Sequence, residues 1–203
     1  MKERIISFIV AVSMLMRVST MAARNEDAPI PEWIVDENFG SLGMNDAKYY
    51  HVYQLLDYLG CTDLPAEEIN PDEKITRAEA VSTLAKIHCS ALGSVTNESF
   101  SDVSKSDVYA GGIYAALQAG LIANNGGKFY PKKYMTLNEL GSIALKMLGY
   151  NAIPMLDEAA YIDDLDLYKN VQTDNGELTR GNFYIFLENM LIAESAKLSI
   201  TEP

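Results

Sequence analysis

Two arginines stand where helix electrostatics would not choose to put them. Arg77 lies in Ile75-Thr76-Arg77-Ala78-Glu79, and Arg180 in Leu178-Thr179-Arg180-Gly181-Asn182. A Thr followed three residues later by Glu is a capping box. The Thr hydroxyl takes the N3 amide, and the Glu carboxylate reaches back to the N-cap amide. Placed before the periodic run Ala80, Val81, Leu84, Ala85 and Ile87, the pair Thr76 and Glu79 starts a helix. Thr136 and Glu139 repeat the device before Leu140, Ile143, Ala144 and Met147. Thr179 opens a third helix, Phe183 to Ile192, with Asn182 at its N3 position. Each arginine therefore falls in a first turn, where a cation meets the positive end of the helix dipole. It is either a solvated surface residue or one kept for an anionic ligand.

Other chemistry finds little footing. His51 and His88 have no partners at metal spacing, and no His-Glu-x-x-His occurs. The acidic groups Asp157-Glu158 and Asp163-Asp164-Asp166, and the stretch Asn70 to Lys74, do not follow the alternating oxygen ligands of a calcium loop. The Ser, Cys and His residues form no nucleophile motif. The reading is non-catalytic, with no metal and no cofactor. Cys61 and Cys89 lie in apolar helical contexts and read as small buried hydrophobes, although an exported protein would permit a disulfide.

The elements that must hold the arginines belong to a chain of 203 residues, 48% hydrophobic and 22% charged, which is an ordinary globular composition. A net charge of −12 argues against nucleic acid as partner and against simple electrostatic docking on anionic lipid. It leaves room for an anion held by a few placed arginines. Residues 1–22 read as a signal peptide: a basic Met1-Lys2-Glu3-Arg4, an apolar Ile5 to Met16 too short for an easy span, then small residues ending at Ala22. Its removal would shift the net charge from −12 to −14 and leave no integral membrane span. Residues 23–40 read as a linker and 197–203 as a C-terminal tail.

Between them the pattern repeats. A first helix is expected from about Asn45 to Leu59, ended by Gly60. Ser99 to Val103 reads as a short extended entry to a helix from Asp107 to Gln118, ended near Gly120. Phe129-Tyr130-Pro131 through Met135-Thr136 then aligns without a gap on Ile69-Asn70-Pro71 through Ile75-Thr76. A compressed third unit has a short helix or turn, Tyr161 to Tyr168, and an Asn175-Gly176 turn before Leu178-Thr179. The fold class is all-α: helix–loop–helix units, each too small to bury its own apolar face, packed around a shared axis with short extended segments in the loops. The units span 41–93, 94–151 and 152–196.

These residues resemble the S-layer homology repeat, through Phe100-Ser101-Asp102-Val103, Asp107-Val108-Tyr109-Ala110, Ala119-Gly120-Leu121-Ile122, Phe129-Tyr130-Pro131 and Ile75-Thr76-Arg77-Ala78-Glu79. The resemblance implies three repeats packed as a pseudo-trimer. It also implies an exported protein held to a cell-wall polysaccharide, typically one with acidic pyruvylated sugars, at the surface of a Gram-positive-type bacterium. Carried over residue by residue, the glycan-binding candidates are Arg77, Asp102, Tyr109, Gly120 and Arg180. The arginines would pair with a carboxylate beside helix N-terminal amides that favour an anion. Tyr109 would cover a sugar face, and Gly120 would let backbone approach the ring. The caps Thr76, Glu79, Thr136, Glu139 and Thr179 are structural. Tyr109 stands where the family usually has Trp, Leu137 where the second repeat should have Arg, Asn124 where a Gly is usual, and Gly181-Asn182 where Ala-Glu is usual. Those departures support an alternative: a degenerate structural module that binds an envelope protein and no glycan.

Overall fold

The computed structural model describes residues 52, 53, 56, 57, 59–64, 69–89, 100–151 and 153–193. The signal peptide, the linker, the tail, Trp33 and the start of the first expected helix lie outside them. Among the described residues the architecture is all-α: α1 (Arg77–His88), α2 (Ala110–Gln118), α3 (Leu137–Met147), α4 (Glu158–Asp164) and α5 (Arg180–Ile192). Ahead of α1, residues 52, 53, 56 and 57 are helical. Isolated bridges, Lys74 with Thr179, Thr76 with Tyr134 and Thr136 with Glu177, give the loops their short extended pieces.

The three capping threonines act as local physics requires, but Glu79 does not close the box expected with Thr76, because Arg180 takes its carboxylate. Thr76, Thr136 and Thr179 each accept from the N3 amide, at 3.3 Å, from Glu79, Glu139 and Asn182 respectively. Just upstream of each Thr stands an apolar residue, Ile75, Met135 or Leu178, at most 1% exposed. These three close a ring. Ile75 N donates to Leu178 O (3.0 Å), Leu178 N to Met135 O (3.1 Å), and Met135 N to Ile75 O (3.0 Å). A second ring lies outside it: Arg77 N donates to Lys133 O (2.8 Å), Leu137 N to Gly176 O (2.9 Å) and Arg180 N to Glu73 O (2.9 Å). The three units are thus bonded head to tail about a pseudo-threefold axis, and the buried trio plugs its centre.

The helices pair across units in the same cyclic sense. α1 packs on α2, and α3 on α4. α5 returns to the segment before α1, with Tyr184 edge-on to Tyr53 at 5.1 Å between ring centroids. One continuous hydrophobic cluster draws on every unit, as a fold whose parts cannot bury their faces alone must do.

Three elements differ from the sequence reading. Residues 100–103 form a turn rather than an extended entry, because the Asp102 carboxylate folds back to accept from Phe129 N and Tyr130 N. α2 starts at Ala110 rather than Asp107, whose carboxylate is taken by Tyr109 N (2.9 Å) in a local turn that competes with helix. The segment read as a short helix or turn over 161–168 is helix to Asp164 and turn beyond it, where Leu167 N bonds Ile162 O and Asp166 turns left-handed at φ 54°, but α4 starts earlier, at Glu158. Cys61 and Cys89 are not bridged to each other; Cys61 Sγ lies against Leu59 O and Cys89 Sγ against Ala115 O.

Candidate functional site

The loop-to-helix junction places each arginine at a seam between two units. Arg77 crosses to the second unit. It pairs with Glu139 through NH1, donates from Nε to Phe129 O (3.2 Å), and lies 5.0 Å from the Phe129 ring centroid. Asp102 meets the same peptide from the other side, accepting from Phe129 N and Tyr130 N, both at 2.8 Å. Burial pushes the Asp102 carboxyl up, but the backbone amides of Phe129, Tyr130 and Asp102 itself, with the charge of Lys128, outweigh it and hold it below the usual carboxylate range. Asp102 and Arg77 are therefore brought together through Phe129.

Arg180 crosses from the third unit to the first. Its Nε and NH2 grip Glu79 Oε1 and Oε2 at 2.7 and 3.0 Å, and its NH1 pairs with Glu73. Hydrogen bonding to Glu79 raises the guanidinium pKa further above its already high value. The carboxylate of Glu79 is thus turned to a neighbouring arginine, whereas Glu139 completes a capping box with Thr136 as well as pairing with Arg77. Tyr109 is half-buried near this second seam. Burial first, then the charges of Glu79 and Asp63, push its hydroxyl pKa up, with Arg180 pulling the other way. Tyr184, deeper in the same region, is raised for the same leading reason.

Gly120 joins neither group. Its φ of 73° makes it the left-handed residue after α2: Gly120 N bonds Leu117 O and Leu121 N bonds Ala116 O, a Schellman ending. A Cβ there would meet nothing within 4 Å. The helix N-terminal amides are not open to an anion either. Those of Arg77, Ala78, Arg180 and Gly181 already bond Lys133 O, Pro131 O, Glu73 O and Pro71 O.

The third seam has no such ion pair, since Leu137 and Asn182 occupy the corresponding positions. Asn182 Oδ1 accepts from Gln172 N at 2.6 Å instead. Sequence reading missed a further set of fasteners ten residues after each capping Thr. Lys86 reaches Thr62 O (3.3 Å) and Asp63, Lys146 reaches Leu121 O (3.0 Å), and Asn189 reaches Leu167 O (3.0 Å) and Lys169 O (2.8 Å). The recurrence of a long polar residue at that offset was the available signal.

A ring of loop-linked helical units with cations at its seams is the setting in which the family comparison applies. Residues 99–140 match the model of the S-layer homology domain. The chain carries an S-layer homology domain. That domain is a non-catalytic module that associates its proteins with the cell wall and cell surface. The chain is also 36% identical over 87 residues to Exoglucanase XynX of Acetivibrio thermocellus. The match covers 43% of this chain and 8% of that protein. Among the described residues, no cluster of three or more His, Cys, Asp or Glu could hold a metal, and no helix is long and apolar enough to cross a membrane.

Proposed function

We propose that the protein is an exported, non-catalytic module that binds an acidic, pyruvylated secondary cell-wall polysaccharide and so stays at the surface of a Gram-positive-type bacterium. Residues 1–22 serve as its signal peptide, and the repeats span 41–93, 94–151 and 152–196. The observation that carries this reading is the S-layer homology match together with an arginine at each of two seams of a closed three-unit ring. Arg77 is the better ligand contact. Its side chain and that of Glu139 are 22% and 39% exposed, so a sugar carboxylate can displace Glu139 at small cost. Arg180 and Glu79 are only 12% and 6% exposed and hold each other bidentately. Asp102 supports the Arg77 seam through Phe129, Tyr109 lines the Arg180 seam, and Gly120 acts by ending α2.

A second reading has its own observation. Both arginines already satisfy neighbouring carboxylates, as they would in a ring whose seams serve only assembly and whose partner is an envelope protein. Co-sedimentation with purified walls, native and stripped of secondary polymer, separates the two. The glycan reading expects pelleting with native walls only, and a loss of about 1.5–3 kcal/mol in Arg77→Ala if a charged hydrogen bond goes. A folded protein that pellets with neither wall leaves the protein-partner reading.

A further inference from the structure

The strongest unexplained feature is the turn Lys128-Phe129-Tyr130-Pro131-Lys132-Lys133. Three lysines fall within six residues of a chain whose net charge is −12. All three are exposed, and none forms an ion pair among the described residues. Tyr130 between them is 50% exposed and holds φ at 61°, the left-handed region that a bulky side chain rarely adopts. The surroundings enforce this conformation. Asp102 clamps the amides of Phe129 and Tyr130, while the Phe129 ring, 2% exposed, is locked inward under Arg77. The outcome is an aromatic ring pushed into water, with the Lys133 ammonium 4.7 Å from its centroid. Strain retained at a solvent-facing aromatic points to use of that ring.

We infer that this turn, bonded to Arg77 through Phe129 O and Lys133 O, extends the Arg77 seam outward as a docking surface for an acidic polysaccharide. Tyr130 offers a flat amphipathic face to a sugar ring, and Lys128, Lys132 and Lys133 meet its carboxylates. Charge complementarity selects the occupant. Nucleic acid needs a longer basic stripe, and the overall acidity of this chain repels so dense a polyanion. Anionic lipid is read by clusters of four to eight cations, more than this turn holds. The inference rests on the glycan reading above and adds Tyr130, Lys128, Lys132 and Lys133 to the Arg77 seam.

The test uses the full chain, with oligogalacturonate as probe and its methyl ester as the uncharged control. Two variants accompany it: K132E/K133E, and Tyr130→Asn, which removes the ring but accepts left-handed backbone. Amide resonances of Tyr130, Lys132 and Lys133 should shift with the acid and not with the ester. K132E/K133E should raise Kd about tenfold, the equivalent of one charge-assisted hydrogen bond, and Tyr130→Asn should raise it several-fold with the fold intact. Wall pelleting is measured on the same samples. Native pelleting that both variants retain, with no shift at the turn, overturns this surface and leaves the anchor reading standing. Binding of the acid through these residues without wall pelleting upholds the surface and removes the anchor. Equal shifts with single-stranded DNA of matching length, or none with any probe, overturn the inference.

Discussion

Arg77 and Arg180 share one sequence address, the residue after a capping Thr, yet their surroundings differ. Arg180 is 12% exposed on a Glu79 that is 6% exposed, while Arg77 and its partner Glu139 are 22% and 39% exposed. Removing one member of a desolvated pair strands the other charge, which costs far more than an exposed pair is worth. Arg180→Ala should therefore lower stability by about 3 kcal/mol, and Arg77→Ala by about 1 kcal/mol or less. Urea midpoints of the two variants check this; equal losses would mean that both seams are equally wet. The contrast matters for function, because only the cheaper pair can be exchanged for a ligand.

At the scale of elements, two glycines set how closely helices approach. Gly112 on α2 faces α1: a Cβ there would lie 2.6 Å from the Ser82 Cα, a backbone atom that cannot move without shifting its helix. Gly141 on α3 faces Ile162 of α4 and Tyr168 in the turn beyond it, and the obstacles are the tips of these two side chains, Ile162 Cδ1 at 2.8 Å. Side-chain tips can rotate away and backbone cannot. Gly112→Ala should lower stability by about 2 kcal/mol as overpacking costs go, seen as a clear drop in the thermal midpoint, and Gly141→Ala by less. Thermal melts followed by circular dichroism decide the order.

The whole molecule depends on closure. Ile75, Met135 and Leu178 each donate and accept once around the inner ring, so no unit completes its own backbone bonding. Beside them Lys74 pairs with Glu177 and sits 5.5 Å from the centroid of the Tyr134 ring, tying all three units at equivalent positions. Leu178→Ala, at a fully buried axial site, should cost about 3 kcal/mol. The ring also requires that loss to be felt by all units together, so melting by hydrogen exchange should remain a single transition. Separate loss of protection in α5 alone would show the units to be independent.

The repeat and its capping residues were legible in the sequence because they are local. A Thr accepting an amide three residues on, and an apolar residue just before it, leave a signature in five consecutive letters. The all-α class followed from the same periodicity. The turn at 100–103 was misread because Asp102 spends its carboxylate on amides 27 and 28 residues away. The partners of Arg77 and Arg180 lie 62 and 101 residues off, and pattern reading could not show that Glu79 and Glu139 face the preceding unit's arginine around the ring. Nor could it show that the helix amides are filled by a neighbour's carbonyls, or that Tyr130 is held outward while Phe129 turns in. Sequence alone determined where the three Thr-capped helices begin and that the units repeat, since those follow from short-range hydrogen bonds and periodic burial. Which charges are spent on assembly and which remain for a partner was decided only when three loops met about one axis, because that pairing depends on distances the chain acquires by folding.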